Sequence, residues 1–224
     1  MKKIEKRTFV CLALTLLLLL GLGLFVLRFF LHGGQWASFA ANRHLYNSNG
    51  SLAVGRVLDR DGDVLSEVVD GQRTYYDNAT VRKATLHAVG DLQGNIGTGA
   101  LNAFADKLTG YSLLNGAFGA QRGNDLYLTI DARLQKIALD ALKENVEAAQ
   151  KEESYGSQCT GSVVVLDVND FSVLCAQSYP NYDLDKYMND PQYREDLLLN
   201  KDGQNAMWNR CFWQGYPIGS AMKP

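Results

Sequence analysis

Ser220 and Lys223 are the residues whose types and spacing point most directly to chemistry, a hydroxyl three positions ahead of an amine in the run GYPIGSAMKP. On a helix, positions i and i+3 share a face, so the lysine nitrogen can reach the serine oxygen. A serine hydroxyl is a weak nucleophile at neutral pH and needs an adjacent base. A lysine desolvated near other cations can lose its proton and serve as that base. A helix starting at the serine would favour negative charge there and offer a backbone N–H to an oxyanion. The arrangement suits acyl transfer. The tetrad alone is a weak signal, because average Ser and Lys usage yields about one S-x-x-K per chain of this size. Pro217 and Gly219 add a tight turn leading into the serine.

The elements that must position such a pair begin far upstream. Lys2, Lys3, Lys6 and Arg7 precede an almost unbroken apolar run over residues 9–27, long enough for a helix to cross a hydrocarbon core of roughly 30 Å. The basic cluster should stay cytoplasmic and the rest be translocated, giving a single-pass protein of the plasma membrane with an extracytoplasmic body. Ser38, Phe39 and Ala40 offer a signal-peptidase spacing. The length of the run and the intervening Arg28, Phe29 and Phe30 favour a retained anchor.

Beyond a short stalk, Asp61-Gly62 sits between apolar pairs in RVLDRDGDVLSE, the signature of a hairpin. Asp59, Asp61 and Asp63 mimic a calcium loop, but Val64 and Asp70 stand where that loop needs Gly and Glu, so turn chemistry is the reading. A helix is expected over residues 100–108. Gly94, Gly97 and Gly99 lack the GK[ST] of a phosphate loop and read as turn glycines.

Residues 126–130 read as a strand and Asp131 as a helix cap. The core-facing stripe of that helix is expected at Leu134, Ile137, Ala138, Ala141 and Leu142. Two further strands, SVVVLD (162–167) and SVLCAQ (172–177), would pair about a turn at Asn169-Asp170, setting Cys175 opposite Val164. Helices set against an antiparallel sheet give an α+β fold class. The polar residues 181–209 read as a surface excursion.

The net charge of -2 and pI near 5.9 argue against nucleic acid as a partner. Cys159, Cys175 and Cys211 are an odd number outside the apolar run, which also holds Cys11. With no C-x-x-C and only His32, His44 and His87, neither a disulfide framework nor a metal site is expected, and no cofactor motif is present.

In this order the motifs resemble the class B penicillin-binding proteins. They run from the basic tail and anchor through VLDRDGDVLSE, His87-Ala88-Val89-Gly90, Lys107-Leu108-Thr109-Gly110-Tyr111, NDLYLTIDARLQKIA and GSVVVLDVNDFSVLCAQSYPNYD to NR…YPIGSAMKP. The resemblance implies a tail (1–7), an anchor (8–31), a stalk and β-rich pedestal (32–123), and the start of a serine β-lactamase-like transpeptidase domain (124–224). It also implies acylation of Ser220 by a peptidoglycan stem peptide or a β-lactam, with Lys223 managing its proton. A polytopic glycan polymerase would be a partner. Ala221-Met222 departs from the commoner Thr-Phe or Thr-Val, and the family's later S-x-N and K-T-G elements are not in this sequence. An N-terminal fragment, inactive alone and partly unfolded beyond residue 181, is therefore expected. A β-lactam-sensing receptor and a non-catalytic partner of the polymerase stand as alternatives.

Overall fold

The computed structural model describes residues 2–37, 55–70, 72–91, 93–108, 123–152, 159–213 and 215. Helix α1 (Lys2–Ala37) contains one stretch, Ile4–Gly33, long and apolar enough to cross a membrane, and none of its most apolar window is buried against the rest of the chain.

The body begins with β1 (Val57–Leu58) and β2 (Val64–Val69), paired antiparallel with Val57 opposite Ser66. Gly62 takes φ +91 in the turn, a conformation that costs glycine nothing. Asp59 is buried there because its carboxylate accepts from the backbone N–H groups of Asp61 and Asp63, both at 2.9 Å, and from Ala132 N at 3.3 Å. These bonds are turn and cap chemistry. Strand β3 (Gln72–Tyr75) adds to β2, and β4 (Leu126–Tyr127) adds parallel to β1, giving a sheet of order β3-β2-β1-β4. Of the strand expected over residues 126–130 only β4 forms, the chain bending at Thr129, while bonds from Leu128 N to Leu58 O and from Arg60 N to Ile130 O tie the remainder to the β1 segment. At the meeting of β1 and β4, Gly55 passes so close to Asn124 that a Cβ there would lie 1.7 Å from its carbonyl oxygen, and the Arg56–Asp125 ion pair closes at 2.6 Å.

Helix α2 (Ala79–Val89) starts on Asn78, whose side chain accepts from the N–H groups of Thr80 and Val81. It ends at Gly90, which crosses Gly99 backbone to backbone. A methyl at Gly99 would sit 2.3 Å from Gly90 Cα. Gly99→Ala should therefore destabilise the fold by about 1–3 kcal/mol, the range of overpacking, as read from urea midpoints; an unchanged midpoint would mean that this crossing is loose. The helix expected over 100–108 divides into α3 (Ala100–Ala103) and α4 (Ala105–Leu108), because the chain leaves helical geometry at Phe104, φ -119.

Asp131 caps α5 (Ala132–Gln150), accepting from Arg133 N and Leu134 N. The buried stripe is turned from the expected one: Gln135, Ala138, Leu139, Leu142 and Val146 face inward, while Ile137 is 63% exposed and Ala141 is exposed. Gln135 tolerates burial because its amide is satisfied by the sheet. Its Oε1 accepts from Cys175 Sγ (2.9 Å) and Ala176 N (3.1 Å), and its Nε2 donates to Ala176 O (3.4 Å).

Strands β5 (Gly161–Leu166) and β6 (Val173–Tyr179) form the second sheet. Near the turn Leu166 faces Val173, the expected register. An irregularity between Val165 and Leu166 then sets Cys175 opposite Val165 instead of Val164. Leu174 is the extra residue, and its carbonyl accepts from Asp131 N while Val173 O accepts from Thr129 Oγ. The bulge thus serves the junction with the β4 segment. Cys11, Cys159, Cys175 and Cys211 are free thiols.

Residues 181–209 are no surface excursion, and as far as Trp213 the described residues beyond 181 are folded onto the body, against the expectation of partial unfolding there. Asp183 caps α6 (Leu184–Asn189), and Asp190 with Pro191 starts α7 (Pro191–Leu198). Tyr182, Leu184, Tyr187 and Ala206 pack with Leu86 of α2 and with Ile96 into a second core. It sits beside the first, built on Val57, Leu65, Val89, Leu101, Leu108 and Ile130.

Candidate functional site

Ser220 and Lys223 lie outside the described residues, as do Pro217 and Gly219. What the structure describes is the platform that leads to them, ending in α8 (Arg210–Trp213) and Gly215. This short helix rests on the second sheet: Cys211 Sγ donates to Gln177 O at 3.3 Å and to Val163 O at 3.7 Å. Asn209 caps it, its side-chain oxygen accepting from Cys211 N and its carbonyl from Trp213 N at 3.0 Å.

The loop before α8 is held by its backbone carbonyls. Arg210, itself 3% exposed, donates its guanidinium to Gln204 O and to Asn205 O. His87, reaching across from α2, donates Nε2–H to Ala206 O at 3.0 Å. Ser178 of β6 donates its hydroxyl to Trp208 O at 3.0 Å and accepts from Arg210 N at 3.1 Å. Asn209 Nδ2 closes the circuit on His87 O at 3.4 Å. Three elements far apart in sequence thereby fix one loop.

Because a carbonyl can only accept, Nε2 carries the proton, and Nδ1 of the neutral ring is left buried without a hydrogen-bond partner. Burial pushes the His87 pKa down to about 4, opposed by the bond to Ala206 and assisted by the charge of Arg210. The ring stays neutral at physiological pH. Burial likewise raises the Cys175 thiol to about 12 and the Cys211 thiol to about 11. Both remain protonated, which suits packing and not nucleophilic attack.

Elsewhere, a groove between β3, α2 and α6 is lined by Arg73, Arg82, Gln93, Asp185 and Met188. Arg82 is already committed to Asp185 and to the carbonyls of Tyr76 and Asp77. Among the described residues no group of three His, Cys, Asp or Glu side chains could hold a metal ion.

The sequence reading placed His87 and the Asn209-Arg210 pair in ordered motifs without a role. Ser178 stands in the motif GSVVVLDVNDFSVLCAQSYPNYD, also without a role. Nothing local marks these contacts, which span as many as 122 positions.

No protein-family model matches the sequence, and no curated protein matches it. Solved structures do. Penicillin-binding protein A from M. tuberculosis, as its imipenem acyl-enzyme complex, aligns at 22% identity over 78% of this chain and 41% of that one, TM-score 0.52. Its penicillin G acyl-enzyme complex aligns at 23% identity over 76% and 40%, TM-score 0.53. The D,D-transpeptidase domain of a peptidoglycan glycosyltransferase from Eggerthella lenta aligns at 26% identity over 71% and 32%, TM-score 0.48. The chain thus spans between 32% and 41% of the length of these three structures. The body shares the mixed α+β fold of part of penicillin-binding protein A.

Proposed function

We propose that this chain supplies the membrane-anchored, nucleophile-bearing part of a class B penicillin-binding protein, a serine D,D-transpeptidase that cross-links peptidoglycan. The observation that carries the reading is the fold shared with penicillin-binding protein A, with S-x-x-K following α8 in the same chain. Helix α1 would be the anchor, with residues 1–7 cytoplasmic. Residues 32–123 would form the pedestal and 124–224 the opening of the catalytic domain. By the family resemblance, a polytopic glycan polymerase is the expected partner in the membrane.

In this reading Ser220 Oγ attacks the penultimate D-Ala carbonyl of a stem peptide and passes its proton to the Lys223 amine. The peptide bond to the terminal D-Ala breaks, and that D-Ala leaves with the proton. An amine from a neighbouring strand then attacks the ester carbonyl, loses a proton, and returns Ser220 to its hydroxyl. A β-lactam stops at the first ester, because its ring opens without releasing a leaving group.

The test is covalent labelling. Membranes carrying the full-length gene product are treated with a fluorescent penicillin and resolved under denaturing conditions. A labelled band is expected for the wild type and none for Ser220→Ala. Lys223→Ala should slow labelling by about 10²–10⁴-fold, the size of a general-base contribution. A wild type that takes no label, or a Ser220→Ala variant that keeps it, would refute the assignment.

A further inference from the structure

The apolar stretch of α1 ends where the body begins to cover it. Residues 4–31 are exposed, His32 is half-buried and Gly33 is buried, and α4 lies against this helix. Ile4–Gly33 has 30 residues, and at 1.5 Å per residue it spans about 45 Å, the thickness of a bilayer with both headgroup layers included. Gly33 thus falls at the outer surface of the headgroups. The residues from there to the end of α1 at Ala37 add only about 6 Å. The part of the body that meets this helix is therefore held within about one helical turn of the lipid.

That part is rigid. Leu108, 1% exposed, is set in the first core, and its carbonyl accepts from Gly55 N at 2.9 Å. The Lys107 carbonyl accepts from Asn124 Nδ2 at 2.9 Å. What the corner between α3 and α4 turns outward is Phe104, 44% exposed, with Ala103 and Lys107 exposed beside it, while Asp106 of the same turn is half-buried. An aromatic ring and an ammonium on a flexible stem suit a headgroup layer, the ring among the glycerol and upper acyl groups and the ammonium on the phosphates. We infer that the α3–α4 corner, through Phe104 and Lys107, rests on the phospholipid surface and holds the body down against the membrane. The inference rests on the reading of α1 as a retained anchor. Because α4 is bonded to the residues that precede β1 and β4, the position imposed by the lipid is passed directly to the first sheet.

Photocrosslinking tests the contact. The full-length protein, carrying photoreactive benzoylphenylalanine in place of Phe25, Phe104 or Phe171, is placed in nanodiscs of phosphatidylethanolamine and phosphatidylglycerol, irradiated and weighed by mass spectrometry. All three side chains are exposed, Phe25 (61%) within the apolar stretch and Phe171 (74%) at the turn between β5 and β6. A mass gain of one phospholipid is expected at positions 25 and 104 and none at 171. Lys107→Gln should lower the yield at 104 by about fivefold, the weight of one basic residue at an anionic surface. A yield at 104 no greater than at 171 would overturn the inference, as would a yield that Lys107→Gln leaves unchanged. A protein that takes no lipid at position 25 defeats the anchor reading and the inference with it. Lipid at 25 without lipid at 104 defeats only the contact of the α3–α4 corner.

Discussion

Replacing Tyr182 by Ala should cost the body about 4 kcal/mol, the range for truncating a large buried aromatic side chain, and Tyr182→Phe should cost nothing or stabilise it. Tyr182 is 0% exposed and stacks at a tilt on Tyr187, with ring centroids 5.6 Å apart. Its removal opens a cavity among Leu86, Ile96, Leu184 and Ala206, the residues that join α2 to the 181–209 region. The hydroxyl, by contrast, is buried without a hydrogen-bond partner, so deleting it removes a desolvation penalty instead of a bond. Burial also raises the Tyr182 pKa, which keeps the phenol neutral. Urea unfolding with the slope checked for constancy measures both variants. A loss below about 1 kcal/mol for the Ala variant would show that this region is not the second core described above, since core truncations cost more than that.

Acid should weaken the fold through His87 well before the carboxylates are protonated. In the unfolded chain the ring titrates near 6.5, and in the fold its pKa is lowered to about 4. Between those values the unfolded chain binds a proton that the folded chain refuses, so stability falls as pH drops from 6.5 towards 4 and levels off below. The window spans roughly two and a half pH units at 1.36 kcal/mol each, an upper bound of about 3.4 kcal/mol. Asp131, whose carboxylate accepts from the start of α5 and from Arg133, has a lowered pKa, so its contribution is lost at the acid end of the range. His87→Gln should flatten the slope between pH 6.5 and 4 and leave the acid end in place. A variant with the wild-type slope would assign the acid sensitivity to other groups.

Much of this architecture could be read from local sequence. Asp61-Gly62 marked the first hairpin and Asp131 marked the start of α5, because turn and cap signals depend on a few adjacent residues. The failures trace to interactions that are not local. Gln135 is not part of the apolar stripe expected for α5, and its burial depends on Cys175 and Ala176, some forty positions away. The Val165–Cys175 pairing turns on the bulge at Leu174, which answers to Asp131 and Thr129 across the sheet junction. The 181–209 region did carry its own signals, Asp183 ahead of α6 and Asp190-Pro191 ahead of α7. Its polar composition hid them, because the tyrosines that build the core there are amphipathic. Ser220 and Lys223 were singled out by spacing alone and lie outside the described residues, while the bonds that hold the 204–208 carbonyls left no local mark in the sequence.

The parallel pairing of β1 with β4 also sets an order of assembly. Arg56 and Asp125 meet across 69 positions, and closing a loop of that length costs roughly 4 kcal/mol of chain entropy by the logarithmic law. The β5–β6 hairpin closes over a far shorter span and needs no such delay. Synthesis proceeds from the N-terminus, so β1 must wait with one edge open until β4 has emerged, while β2 and β3 can already pair. Closure of β4 onto β1 is therefore the slow step within the first sheet, whereas the β5–β6 hairpin pairs quickly once it has emerged. The unpaired edge of β1 is a surface on which a chain still on the ribosome is open to pairing with the wrong strand.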